Sequence, residues 1–345
     1  MNSYIEIINP IDYQGWDDEL LTSHERSSFF HTAIWARVLW DSYGYTPLYF
    51  TVREHDRLLG LLPMMEVNSM ITGRRGGSLP FTDYCEPLIS SDVDLEELMD
   101  AAKQYGREHG WKSVEIRGGC PANATIATFY YRHTLDLETD VEKLFSRLKG
   151  NTRRGVRKAK REGVTIEINT SVDAVDEYYR LHCITRKKHG LPPQPRAFFR
   201  KIHEHIIAPG MGRVVIASHE GKNIAASVFF GYQGKALYKY GASDPTFLRL
   251  RPTDLVMWEG IKWYAENGYT SLCFGRTAPN NTGLRDFKLR WDTKEEQINY
   301  YKYDLRQEAY VEESLSVGGL PRHLFGMMPI PLLTILGARL YKHMG

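Results

Sequence analysis

One pattern of elements occurs twice along these 345 residues, and it limits the fold more than any other feature. In the first copy, PLYFTVREHDRLLGLLPMMEV (47–67) runs as an apolar strand into a polar turn at Glu54–Arg57 and returns as a second strand. In the second copy, GRVVIASHEGKNIAASVFFGYQ (212–233) does the same around HEGKN. Both read as antiparallel hairpins. A helix follows each one. LEELMDAAKQYGREHG (95–110) puts Leu95, Leu98, Met99, Ala102 and Tyr105 on one face and ends at Gly110, while DLVMWEGIKWYAENG (254–268) ends at Gly268. A strand follows each helix, WKSVEIRGG (111–119) and YTSLCFGRT (269–277), and the junctions EHGWKSVEI and ENGYTSLCF share Glu, Gly, an aromatic and Ser. The expected class is α/β with mixed (α+β) sheets, built from two copies of one unit. The expected blocks are 1–142 and 165–317, joined by a basic helix at 143–164 and followed by an apolar tail at 318–345.

Composition excludes several classes. With 42% apolar and 25% charged residues the chain is globular rather than disordered. A formal net charge of +2 gives no global field that selects nucleic acid or lipid. Cys85, Cys120, Cys183 and Cys273 are scattered and form no CxxC, which suits a reducing cytoplasm and argues against a zinc ribbon. The start, MNSYIEIINP, has no signal-peptide pattern, and no window carries the roughly 18 apolar residues of a membrane span. There is no HExxH, GxSxG or Cys–His arrangement, so neither a metal nor a covalent intermediate is expected.

Charge clusters in one place. Arg147, Lys149, Arg153, Arg154, Arg157, Lys158, Lys160 and Arg161 occur with no acid between them. On a helix, Arg153, Arg157 and Lys160 share one stripe and Arg154, Lys158 and Arg161 the next. Like charge at this density is either a solvated face or a seat for a phosphorylated ligand.

Three stretches resemble the FemAB-like (BioF2-like) tandem GNAT acyltransferases: FHTAIWARVLWDSYGY (30–45), NTRRGVRKAKREGV (151–164), and LYKYGASDPTFLRLRPTDLVMWEGIKW with FGRTAPNNTGLRDFKLRW (237–263, 274–291). The last is similar to the branch associated with exopolysaccharide and exosortase loci. The resemblance implies two GNAT-like domains and an N-acyltransferase that moves an acyl or aminoacyl group onto an amine of a cell-envelope, peptidoglycan or exopolysaccharide precursor. It implies that two strands splay, so that exposed backbone amides hold the donor. It also implies that an arginine of the basic segment, Arg153 or Arg157, grips a sugar-linked diphosphate; both are expected to be exposed. Trp35 and Arg37 mark the opening motif, and Leu39 stands at another candidate position for a family lysine.

The donor is a cosubstrate, aminoacyl-tRNA or acyl-CoA, with no permanently bound cofactor. A CoA pyrophosphate usually rests on a glycine-rich helix start. FLRLRPTDLVMW (247–258) has no glycine there; Pro252 sits near the helix start, and Thr253 or Asp254 is the expected cap. The first copy begins its helix with acidic SSDVDLEEL. Both departures favour an aminoacyl-tRNA or an unusual acyl donor. In the loop after Phe274, Gly283 is expected to let backbone approach a ligand, and Arg276 and Lys288 to meet its anionic groups. Tyr238 and Tyr240 alternate around Lys239 and are expected on one side of a strand, lining the acceptor groove. Asp83, Tyr84 and Glu86 in LPFTDYCEPL are the candidates for taking the amine's proton.

The expected partners are a phosphorylated sugar or lipid-linked acceptor and, for an aminoacyl donor, tRNA, with no DNA. The tail PRHLFGMMPIPLLTILGARLYKHMG (321–345) either lies on a membrane surface or packs across the two domains. The expected location is the cytoplasm, with peripheral placement at the inner face of the membrane under the first of these. Two alternatives remain open: a CoA-dependent N-acetyltransferase acting on an amino sugar, and a non-catalytic nucleic-acid or anionic-polymer binder acting through the basic helix.

Overall fold

A computed structural model describes residues 4–55, 57–313 and 322–345. The chain begins β1 (Tyr4–Ile8), α1 (Trp16–Ser23), α2 (Ala33–Tyr43), β2 (Thr46–Glu54), β3 (Arg57–Ser69), β4 (Gly73–Gly77), β5 (Leu88–Ile89), α3 (Leu95–Glu108) and β6 (Ser113–Arg117). It continues β7 (Thr128–Asp136), α4 (Val141–Arg147), α5 (Gly150–Arg161), β8 (Thr165–Asn169), α6 (Val172–Lys188), α7 (Arg196–Ile202), β9 (Gly212–His219), β10 (Lys222–Tyr232) and β11 (Lys235–Ser243). The last elements are α8 (Pro252–Glu266), β12 (Ser271–Thr277), α9 (Thr282–Leu289), β13 (Lys294–Asp304), β14 (Ala309–Tyr310), α10 (Arg322–Met327) and α11 (Ile330–Leu340).

The chain divides into two compact units: 1–130 with 297–317 and 340–345, and 131–296 with 318–339. In the first unit, β1, β2, β3 and β4 pair antiparallel in that order, and β4 then pairs parallel with β6 at Gly76↔Val114. In the second, β8, β9, β10 and β11 pair antiparallel, and β11 pairs parallel with β12 at Leu237↔Cys273. The repeated unit is therefore longer than the hairpin, helix and strand. It also includes an edge strand and two helices before the hairpin: β1, α1 and α2 in one copy, β8, α6 and α7 in the other.

Each unit's last strand comes from the segment trailing the other copy. Residues 131–136 of β7 follow the first copy in sequence, yet pair with β12 in the second unit. Residues 300–304 of β13 follow the second copy, yet pair with β6 in the first. The units are thus not the consecutive blocks 1–142 and 165–317.

Local signals explain the elements. Asp94 caps α3 by accepting from the Glu96 amide, and Gly110 and Gly268 take φ of 70° and 81° just past the two repeat helices. In the second unit, Leu255, Val256, Ile261 and Tyr264 of α8 pack on Val215, Ala225 and Phe229 of the sheet. Helix α5 docks on α8 because position 155 is glycine: a Cβ there would lie 2.2 Å from Asp254 Oδ2.

Candidate active site in the second unit

The ladder between β11 and β12 has three residue pairs, Lys235↔Ser271, Ala236↔Leu272 and Leu237↔Cys273, although β11 runs on to Ser243 and β12 to Thr277. Both strands lose register at the same level. β11 carries an extra residue opposite β10, where Val228 pairs with Tyr240 and Phe229 with Tyr238. β12 shifts against β7 between Cys273 and Arg276, with Gly275 at φ 70°. Bulges turn a strand and interrupt its ladder. Beyond Leu237 and Cys273 the two parallel strands have no ladder between them.

A cavity of about 550 Å³ belongs to this unit, well inside the roughly 300–1,000 Å³ of small-molecule sites. Its walls include Tyr238, Gly241 and Ser243 of β11 and Ser227 of β10. Thr253 and Met257 come from the first turns of α8, and Asn281, Gly283 and Leu284 from the start of α9. Lys188 and His189 come from the end of α6. The start of α9 and Lys188 thus edge one side of this cavity, an arrangement that favours a ligand with an anionic portion.

Several side chains are held tightly here. Burial pushes the Tyr238 hydroxyl up to about 12, against a smaller pull from its hydrogen bond to Ser227. It is therefore a proton donor throughout the neutral range. Gly241 makes room for it, since a Cβ at 241 would lie 1.9 Å from the Tyr238 oxygen. Lys288 is only 2% exposed, and its Nζ donates to the carbonyls of Gly275 (2.9 Å) and Arg276 (3.0 Å). Nearby, the ring of His133 is buried, with Nε2 2.9 Å from Glu295 Oε2. Burial, then the charge of Lys288, holds the His133 pKa below its ordinary value, despite Glu295. Arg285 hydrogen-bonds the same carboxylate and keeps it ionised below the usual range.

The α8 start is built differently from expectation. Its N-cap is Arg251, in the left-handed region at φ 59°, with no side-chain cap bond. Asp254 is buried and accepts from Arg290 Nη2 at 2.6 Å. Burial raises its carboxyl above the ordinary value, more than Arg290 and Arg251 lower it. The carbonyl of Arg290 in turn receives the Lys149 amide and the Thr152 hydroxyl, tying the start of α5 to the same point.

The expected site residues distribute as follows. Tyr238 and Gly283 line the cavity. Gly283 has open space around its Cβ position and no positive φ, so nothing there requires glycine. Tyr240 does not share a face with Tyr238. It packs on Tyr178, Phe198 and Phe199 of α6 and α7, whereas Tyr238 packs on Phe229 and Phe274, because Lys239 is the extra residue of the bulge. Arg276 is half-buried and stands opposite Arg132 in the β12–β7 ladder. Lys288 is turned inward onto β12 rather than presented on a loop.

Arg157 is exposed, with its guanidinium 5.6 Å from the centre of the Phe145 ring. Arg153, expected to be exposed, is half-buried, and its Nε has no hydrogen-bond partner among the described residues. Arg147 is neutralised by Glu138 and Asp292.

The remaining candidates belong to the first unit. Trp35 is fully buried, edge-on to Phe29 and Phe30, and is a core residue rather than a ligand contact. Arg37 donates to the Ile11 carbonyl at 3.2 Å. Asp83, Tyr84 and Glu86 share one loop: the Asp83 carbonyl accepts from Tyr300, Tyr84 meets Phe30, and Glu86 pairs with Arg26 at 3.1 Å. In this unit the region after β4 is occupied by Arg117, which donates to the Leu79 and Thr82 carbonyls. Sequence reasoning passed over Lys188, His189, Ser227 and Asn281. The only local signal was KKHG at a helix end, which is ordinary C-terminal chemistry.

Comparisons with known proteins agree with this fold. A family model described as an acetyltransferase (GNAT) domain matches residues 146–289. That stretch is similar to GNAT acetyltransferase domains, and the chain as a whole has a tandem GNAT fold like that of FemX. A UDP-N-acetylmuramoylpentapeptide-lysine N(6)-alanyltransferase from Weissella viridescens is 23% identical over 159 residues. That match spans 46% of this chain and 43% of that relative, less than half of its length. The crystal structure of FemX superposes with a TM-score of 0.68 at 14% identity, covering 89% of this chain and 98% of FemX. A tandem GNAT protein from the clavulanic acid biosynthesis pathway superposes at 0.58 with 10% identity, covering 88% and 99%. Among the described residues no helix is long and apolar enough to cross a membrane.

Proposed function

We propose that the protein is an N-acyltransferase that delivers an acyl or aminoacyl group from a soluble activated donor to an amine on a cell-envelope precursor. The observation that carries this reading is the parting of β11 and β12 beside the cavity. Strand edges without a ladder partner offer amides to a donor carbonyl, where an oxyanion develops during attack. The neutral amine attacks that carbonyl directly. The C–N bond forms, the tetrahedral intermediate collapses, and the donor's thiol or ribose oxygen leaves.

Tyr238, protonated at neutral pH, is suited to give its proton to that leaving atom. The buried ammonium of Lys288 adds positive potential at β12. Arg157 and the exposed cations of α5 are suited to the phosphates of a nucleotide-linked or lipid-linked sugar acceptor. The proton that the attacking nitrogen loses passes to solvent, and Asp83, Tyr84 and Glu86 of the first unit are given no part in this cavity. The reading puts the chain in the cytoplasm, and its acceptor among peptidoglycan or exopolysaccharide precursors, in line with the alanyltransferase likeness.

A CoA-dependent acetyl transfer is the second reading, favoured by the GNAT acetyltransferase match. The start of α8 speaks against it. Pro252 has no amide to offer a pyrophosphate, and Arg251 occupies the left-handed turn before it. Mass spectrometry of amine-bearing envelope precursors, incubated with the full chain and either acetyl-CoA or aminoacyl-tRNA, tests both. Transfer from the charged tRNA supports the first reading, transfer from acetyl-CoA the second, and no mass increment with either donor overturns acyl transfer.

A further inference from the structure

The C-terminal helices are pinned on one side only. Leu333 is fully buried, and a Cβ on Gly337 would lie 1.9 Å from the Pro193 carbonyl oxygen, so α11 sits hard against the loop after α6. Its other side shows Leu332 and Ile335 to solvent, and Leu324 and Met327 of α10 are similarly bare. In the first unit, the turn between β3 and β4 carries Met70, 93% exposed, and Ile71, 65% exposed. The last residues of the chain are fastened to that turn: Ser69 Oγ meets His343 Nδ1 at 3.0 Å, and Thr72 Oγ1 donates to the His343 carbonyl at 3.2 Å. Met344 is exposed beside them. Large apolar side chains thus stand bare on α10 and α11 in the second unit and on the β3–β4 turn in the first, two surfaces that each suit an apolar partner.

Charge says what kind. No Asp or Glu occurs after Glu313, whereas Arg339 and Lys342 are exposed on the same segment. The last turn of α6, against which α10 packs, adds Lys187. The β3–β4 turn is followed by Arg74, which pairs with Glu66, and Arg75, which donates to the His343 carbonyl. Two copies of such a surface would oppose cation to cation. An anionic bilayer accepts both features, because apolar side chains enter the acyl boundary while lysine and arginine stay at the headgroups.

We propose that α10, α11 and the β3–β4 turn are membrane-docking surfaces, which seat the protein on a bilayer rich in anionic phospholipid. This holds whatever group the enzyme transfers. The test is co-sedimentation of the full chain with vesicles of phosphatidylglycerol and phosphatidylcholine, compared with phosphatidylcholine alone, at low and high salt. Expected is binding to the anionic vesicles that weakens as salt rises.

Leu332→Glu with Ile335→Glu, and separately Met70→Glu with Ile71→Glu, should each weaken it about tenfold or more. Leu332→Ser with Ile335→Ser supplies a variant without new charge, and thermal melts confirm that each remains folded. Absence of vesicle binding, equal binding to neutral vesicles, or unchanged binding by the folded variants each overturns the proposal. So does a dimer in sedimentation equilibrium that the Leu332/Ile335 variants dissociate, since the occupant would then be a second copy.

Discussion

Tyr238 and Tyr240 stand two residues apart on one strand, yet they serve opposite faces of the second unit's sheet, because Lys239 is inserted between them as a bulge. Regular alternation would put both rings on one side. The insertion gives Tyr238 to the cavity and Tyr240 to the packing of α6 and α7.

Gly241→Ala tests that placement. The new methyl would meet the Tyr238 oxygen and push the ring from its seat. Expected is a loss in kcat/KM of about tenfold or more, from misplacement at the reacting centre. Gly283→Ala, with open space around it, should stay within about twofold. Steady-state kinetics of both with the identified donor is the check. Equal behaviour of the two variants would remove Tyr238 from the mechanism.

Arg157→Ala should raise KM for a phosphorylated acceptor by roughly 10- to 100-fold, the worth of a charge-assisted hydrogen bond, with little change in melting temperature. Arg153→Ala, at a half-buried position, should also lower the melting temperature. Calorimetric titration with the acceptor and thermal melts separate the two effects.

Arg290→Ala should destabilise the protein by about 3 kcal/mol or more, because it leaves the Asp254 carboxyl buried without its partner. The intact pair adds little net stability, as the raised Asp254 pKa indicates, so the cost lies in breaking it. Denaturant unfolding measures this, and Asp254→Asn combined with Arg290→Ala should recover part of the loss.

Acid sensitivity should draw on His182. His182 is buried against Tyr178 and Phe199, and burial holds its pKa down to about 3. With the folded value below the unfolded one of 6.5, the unfolded chain binds the extra proton. The stability contribution is therefore complete above the unfolded value and is lost progressively as pH falls toward the folded one. At a pH two units below the unfolded value, the loss is about 2–3 kcal/mol. His182→Phe should flatten that limb of the stability curve, measured by chemical denaturation across the acid range.

The repeat was legible because its signals are local. Alternating apolar runs, the turn at Glu220–Gly221 and the glycines after α3 and α8 each specify an element within a dozen residues. The exchange of β7 and β13 was not, since strand periodicity tells which face is buried and nothing about which distant edge receives it. The bulge was hidden for a related reason: KALYKYGAS alternates well enough to read as a plain strand. Trp35 is marked by resemblance to a motif and Lys288 by its charge beside a loop, and neither signal carries burial information. The cavity's Lys188, His189 and Ser227 converge from α6 and β10, and no single stretch announces them.

The traded strands reach beyond the static architecture. During synthesis on the ribosome, β6 emerges long before residues 300–304 exist to cover its edge, so the first unit cannot finish its sheet until the second copy has been made as well. Cutting the gene at the apparent midpoint would hand each product the other's closing ribbon. Separately expressed halves should be poorly soluble, and co-expression should rescue them.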